Sequence, residues 1–156
     1  MRRLAITPVA VAFCAIAAMS DGARMIWDRT GPVQAGVAAP LRFHVVDRDG
    51  SPAQLEPYMG MAGHAAILAT DLSVFAHLHP SGSVAMPALE LANAGIGVTD
   101  PHAGHAMHLA LPPEVAFPYG FPRPGPYRVF VQIKRAGTVE TGAFDVTVEP
   151  ASPGSR

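Results

Sequence analysis

Seven histidines and seven methionines occur among the 156 residues, and six of the histidines fall between His64 and His108. Imidazole is a neutral donor that accepts copper and zinc, and thioether is a soft donor suited to Cu(I). His77 and His79 are two apart, so on a strand both rings leave the same face. If residues 64–70 and 73–79 form a hairpin around a two-residue turn at Asp71 and Leu72, His64 stands opposite His79 and Ala66 opposite His77. Opposed residues have Cβ atoms about 4.5–5.5 Å apart, which gathers three imidazoles on one patch. A loop one residue longer would carry His64 to the other face, so the cluster depends on register. Just upstream, Met59 and Met61 flank Gly60 on the approach to His64. The candidate ligands are therefore His64, His77 and His79, joined by Met59 and Met61. The expected ion is copper, as Cu(I) or Cu(II). Zinc fits less well, because it more often recruits thiolate or carboxylate and does not call for methionine.

A second concentration runs from Asp100 to His108 and offers His102, His105, Met107 and His108 between small spacers. Histidine-rich tracts of this kind can take metal without a preformed fold, which makes these four a candidate secondary site. Each residue also has a plainer reading. Paired strand histidines can be surface polarity. Methionines commonly fill gaps in a core, and the 102–108 tract can be a solvated polar segment. His44, beside Arg42, reads as structural or surface, and Asp71 as the turn residue of the hairpin.

Nucleophilic catalysis finds no support. The single cysteine, Cys14, lies in the apolar N-terminal run, and no serine sits in a nucleophile-elbow motif. Glu90, Glu114 and Glu140 show no pairing, and the chain does not read as an enzyme. Three histidines with an open fourth position are also the layout of a catalytic zinc, so a zinc hydrolase stands as a third reading. The formal net charge of −1 and the absence of a basic face argue against nucleic acid as a partner.

The elements that must position these donors are short. Sixteen prolines and fifteen glycines punctuate brief apolar runs, a pattern of strands and turns. Strands are expected at residues 41–46, 64–70, 73–79, 107–111, 127–134 and 139–148. Residues 81–106 read as a flexible insertion, 117–124 as a proline- and aromatic-rich connector, and 151–156 as a disordered tail. With no alternation of strands and helices, the pattern implies an all-β, immunoglobulin-like antiparallel sandwich of about six to eight strands. Arg2 and Arg3 followed by the apolar run to Met19 read as a secretory signal over residues 1–20, with the domain at 21–150. The expected location is periplasmic or secreted. Membrane contact is expected only if that segment stays uncleaved, and it falls short of the roughly 20 apolar residues that a span needs. Without Cys14 the exported domain would hold no thiol.

Several of these residues carry a resemblance: Leu55 through His64, including Tyr58, Met59, Gly60, Met61 and Gly63, then Asp71 and Leu72, then Phe75 to Pro80 with His77-Leu78-His79, and finally Phe121 to Pro124 and Pro126 to Gln132. Over residues 36–148 the chain resembles the secreted YtkA-like and FixH-like domains, which are bacterial immunoglobulin-like sandwiches. The resemblance implies an envelope protein associated with copper handling or with assembly of copper-containing respiratory enzymes. It rests on His64, His77 and His79, and the tract with His102, His105 and His108 looks like an insertion relative to that pattern. The expected function is a copper-type metal-binding module, with an envelope metal transporter or oxidase as partner. The alternative is a metal-free envelope interaction domain that docks through a sheet edge or the 117–124 connector.

Overall fold

Alternation along the chain sets the architecture. Between residues 125 and 135, Tyr127, Val129, Val131 and Ile133 are buried, while Arg128, Phe130, Gln132 and Lys134 project to the other face. A period of two with one apolar face forms a half-buried strand that needs a second layer to cover it. The structure, a computed structural model, describes residues 15–80 and 111–152. In them nine strands form: β1 (Ala15–Ala18), β2 (Arg24–Asp28), β3 (Val33–Gln34), β4 (Ala38–Val46), β5 (His64–Ala69), β6 (Phe75–Leu78), β7 (Glu114–Gly120), β8 (Gly125–Arg135) and β9 (Thr138–Glu149). No helix occurs among the described residues, and so none long and apolar enough to cross a membrane.

The strands make two packed sheets, ordered β1-β2-β4-β7 and β3-β9-β8-β5-β6. Successive strands change sheet at β2 to β3, β3 to β4, β4 to β5, β6 to β7 and β7 to β8, so the two layers are interwoven along the chain as a β-sandwich. At the start of β8 the Tyr127 hydroxyl donates to the Arg123 carbonyl at 3.0 Å, the corner bond typical of such sandwiches. Between the sheets, Trp27, Phe43, Phe117 and Phe144 interlock with ring centroids 5.2 to 6.2 Å apart. Each buried aromatic side chain of this size contributes about 1.5–3 kcal/mol of transfer free energy. Buried Arg135, at the end of β8, bonds Asp21, Asp47 and Glu140, so one guanidinium ties three separate segments together.

The architecture is all-β as expected, with three differences. Residues 117–124 are not a free connector. Residues 117–120 belong to β7, where Phe117 is buried and pairs with Leu41 of β4, and Phe121 just beyond is buried too. Pro118 made this run read as a break, yet β7 is an edge strand, where a missing N–H does not disrupt a ladder on the open side. The strand count exceeds six to eight because β1, β2 and β3 precede the first expected strand, and the short β3–β9 pair is parallel. Finally, β1 lies within the segment read as a signal: it pairs with β2, and Ala17 and Met19 reach the core. Among the described residues the sandwich therefore includes Ala15–Ala18, within the segment read as a signal, and a cut after Ser20 would remove β1. Hydropathy alone does not separate a short strand of small apolar residues from the end of an apolar leader. The 107–111 strand and the 81–106 insertion lie outside the described residues except for Leu111, which bridges to Leu55. Of the expected tail, Ala151 and Ser152 are described, and Gln34 donates to the Ser152 hydroxyl at 2.8 Å.

Replacing Tyr127 by Phe is expected to lower unfolding stability by about 1 kcal/mol, the net worth of one intramolecular hydrogen bond, with the fold unchanged. Urea unfolding followed by Trp27 fluorescence measures it, and an unchanged midpoint would show that the corner bond contributes nothing.

Candidate metal centre

The hairpin of β5 and β6 fixes the first part of the site. Ala65 pairs with Leu78, Ala66 with His77, Ile67 with Ala76 and Leu68 with Phe75. This register extends to His64 opposite His79, the pairing that the sequence predicts. The loop itself is longer than expected. Ala69 N–H donates to Val74 O at 2.9 Å, leaving residues 70–73 as a four-residue loop, with Leu72 in the left-handed region at φ 61°. Asp71 shapes it by accepting from the Ser73 N–H at 3.0 Å and from the Ser73 hydroxyl. Two-residue and four-residue loops centred on the same pair of residues give the same register, so the histidines stay on one face.

That face is the outer one of the five-stranded sheet, since Ala65, Ile67 and Leu78 point into the core. There the three imidazoles lie with ring centroids 5.7 Å (His64 and His77), 5.1 Å (His64 and His79) and 5.0 Å (His77 and His79) apart. One nitrogen from each lies within 4.8 Å of the others. Nitrogens bound to one tetrahedral ion at about 2.0–2.1 Å stand about 3.4 Å apart, so closure needs only a modest inward turn of the rings. His77 is exposed, His79 half-buried and His64 buried.

His64 is buried although it sits on an outer face, and a detour of the chain causes it. Glu56 faces Lys134 on β8 and His64 faces Gln132, so eight steps of chain on one side span two on the other. The surplus folds back as a tight turn, with Tyr58 N–H donating to Met61 O at 2.8 Å and Met61 N–H to Tyr58 O at 3.1 Å. Met59 at φ 51° and Gly60 at φ 80° give it the type I′ form. The turn lays the Tyr58 ring edge-on against His64, with centroids 5.1 Å apart. Gly63 brings the chain back to β8, and a Cβ there would lie 2.6 Å from the Gln132 carbonyl oxygen, so only glycine allows this approach.

The electrostatics follow from this packing. Burial pushes the His64 pKa below the ordinary 6.5, and the neighbouring His79 and His77 push it the same way. A neutral imidazole is the form that coordinates metal. Among the described residues, His64 Nδ1 is buried without a hydrogen-bond partner. Such an orphan costs about 1–3 kcal/mol unless something satisfies it. A set of three imidazoles, one of them with a buried unpartnered nitrogen, fits a metal ion by donor type. A groove of about 300 Å³ leads away from His64 and His77 over Ala66, between Phe75 and Phe130.

Not every candidate joins the cluster in the same way. Met59 projects into solvent at 73% exposure, and Met61 is half-buried on the other arm of the turn. His102, His105, Met107 and His108 lie outside the described residues. His44 sits on the outer face of the other sheet, with its Nδ1 2.7 Å from Asp28 Oδ2, in keeping with a structural role. Sequence reasoning gave no role to Tyr58 or to the close approach at Gly63. The only local signal was glycine at positions 60 and 63, compatible with a tight turn and a close backbone contact.

The family described as a domain of unknown function, DUF8832, matches residues 17–150. The chain belongs to that family. No curated protein and no solved structure matches it. The match spans β2 to β9 and the whole hairpin that carries the three histidines.

In the metal-free protein, the His64 ring is expected to titrate below pH 6.5 by NMR. The sign for stability follows from its lowered folded-state value. The unfolded chain takes up this proton first, so the contribution is complete above about pH 6.5 and is lost as pH falls toward the folded pKa. A His64 resonance titrating above 6.5 would overturn the account of its burial.

Proposed function

We propose that this domain is an exported metal-binding module of the copper type. His64, His77 and His79 form the core donor set, and the thioethers of Met59 and Met61 favour the reduced ion. One observation carries the reading: His64, His77 and His79 each offer a nitrogen within 4.8 Å of the others. The buried His64 ring also keeps its Nδ1 without a hydrogen-bond partner among the described residues, an unmet demand that a bound ion is one way to satisfy. The choice of copper over zinc rests on ligand softness. Imidazole with thioether suits copper, whereas no carboxylate or thiolate belongs to the cluster among the described residues. The likeness to YtkA-like and FixH-like domains supports a place in the bacterial envelope, with a metal transporter or an oxidase as the partner that gives or takes the ion. The histidine tract at 102–108 would act as a secondary site.

Titration of the protein with Cu(I) and with Cu(II), beside a His77→Ala, His79→Ala double variant, tests the assignment. The double variant is expected to lose affinity by more than about 100-fold, beyond what loss of a supporting outer-shell group costs. Equal uptake by both proteins would sink it.

A further inference from the structure

Met59 combines two unfavourable features. It is a large apolar side chain exposed at 73%, and its backbone is left-handed at φ 51°. It occupies the first central position of a type I′ turn, where asparagine, aspartate or glycine is favoured and Gly60 already fills the second. Holding a non-glycine residue there costs about 1–3 kcal/mol, and outliers of this kind concentrate at functional sites. Leu72 carries the same two features, with φ 61° and 75% exposure, at the tip of the β5–β6 hairpin. Strain and exposure alone therefore do not single out Met59. Its surroundings do: the adjoining Tyr58 rests on His64, whereas Leu72 lies at the end of the hairpin away from the histidines and has no donor atom.

We propose that Met59 is a capture ligand for a soft monovalent ion of the Cu(I) class. The turn holds its side chain in solvent, one residue along the chain from the Tyr58 ring that rests on His64. Its sulfur donates a lone pair to the arriving ion and displaces one ligand of the complex that delivered it, so donors are exchanged and no electron is transferred. The ion then passes to His64, His77 and His79. Thioether is a soft donor and imidazole accepts both oxidation states, so Met59 sets the preference of the site for the reduced ion. This inference rests on the metal-binding reading above and adds a role that the three histidines do not supply. It also accounts for keeping methionine where asparagine would give a more stable turn.

Three variants of the full chain test it: Met59→Asn, Met59→Leu and Leu72→Asn. Affinity for Cu(I) is measured anaerobically by competition with a chromophoric chelator, affinity for Cu(II) by a parallel competition, and stability by urea unfolding. Both asparagine variants are expected to unfold at higher urea than the parent, because asparagine tolerates the left-handed backbone. Met59→Leu keeps the bulk and the strain and is expected to gain no stability. Both Met59 variants are expected to lower the ratio of Cu(I) to Cu(II) affinity by about tenfold or more, the scale on which supporting groups tune metal sites. Leu72→Asn is expected to keep the parent ratio. A parent-like ratio in Met59→Leu, or an equal fall in Leu72→Asn, would overturn the capture role while leaving the histidine site standing. Failure of the parent protein to bind either ion would overturn both.

Discussion

The pairing of β5 with its two neighbours is the constraint on which the site depends. On one side Ala66 faces His77, and on the other it faces Phe130 of β8. A strand has a side-chain period of two, so a slip of one residue in either ladder would turn His64 into the core and Ala65 out of it. The core opposes such a slip. Ala65, Ile67, Leu78, Val129 and Val131 are all buried, and moving them to solvent would forfeit the burial of several side chains together. The hydrophobic layer thus aims the imidazoles without touching them.

The histidine cluster is held by elements of different stiffness. His77 rides on β6, an edge strand bonded along one side only, and His79 follows just beyond its end, whereas His64 sits on β5 between two ladders. Tyr58 adds cover from a turn that closes on itself by two backbone bonds and is anchored behind by Glu56, whose N–H donates to the Lys134 carbonyl at 2.8 Å. The buried, rigid donor and the more accessible donors have complementary uses. A preorganised nitrogen limits the reorganisation that binding requires, and accessible ones let an ion enter and leave.

Several features were legible from residue order. The period-two runs at 127–134 and 139–148 gave the long hairpin of β8 and β9, and the His77-Leu78-His79 spacing gave two co-facing rings. The register that adds His64 was also legible, although for a hairpin loop of the wrong length. Asp71 and Leu72 sit at the centre of either loop, and the parity of the loop, not its length, decides which face His64 takes. Less was readable where a residue has two meanings. Pro118 reads as a break and lies in a strand. Ala15, Ile16 and Ala17 read as a leader and pair with β2.

By itself, then, the order of residues determined the donor inventory, the all-β class and the face from which the histidines project, because each of these follows from local chemistry and a period of two. Only the tertiary structure decided that His64 is buried, that Tyr58 covers it and that Gly63 must lack a side chain. Those facts come from a detour that leaves β8 after Glu56 and returns at His64. The shape of such an excursion is set by contacts with a strand some seventy residues further along the chain, and no local pattern in the sequence encodes that distance.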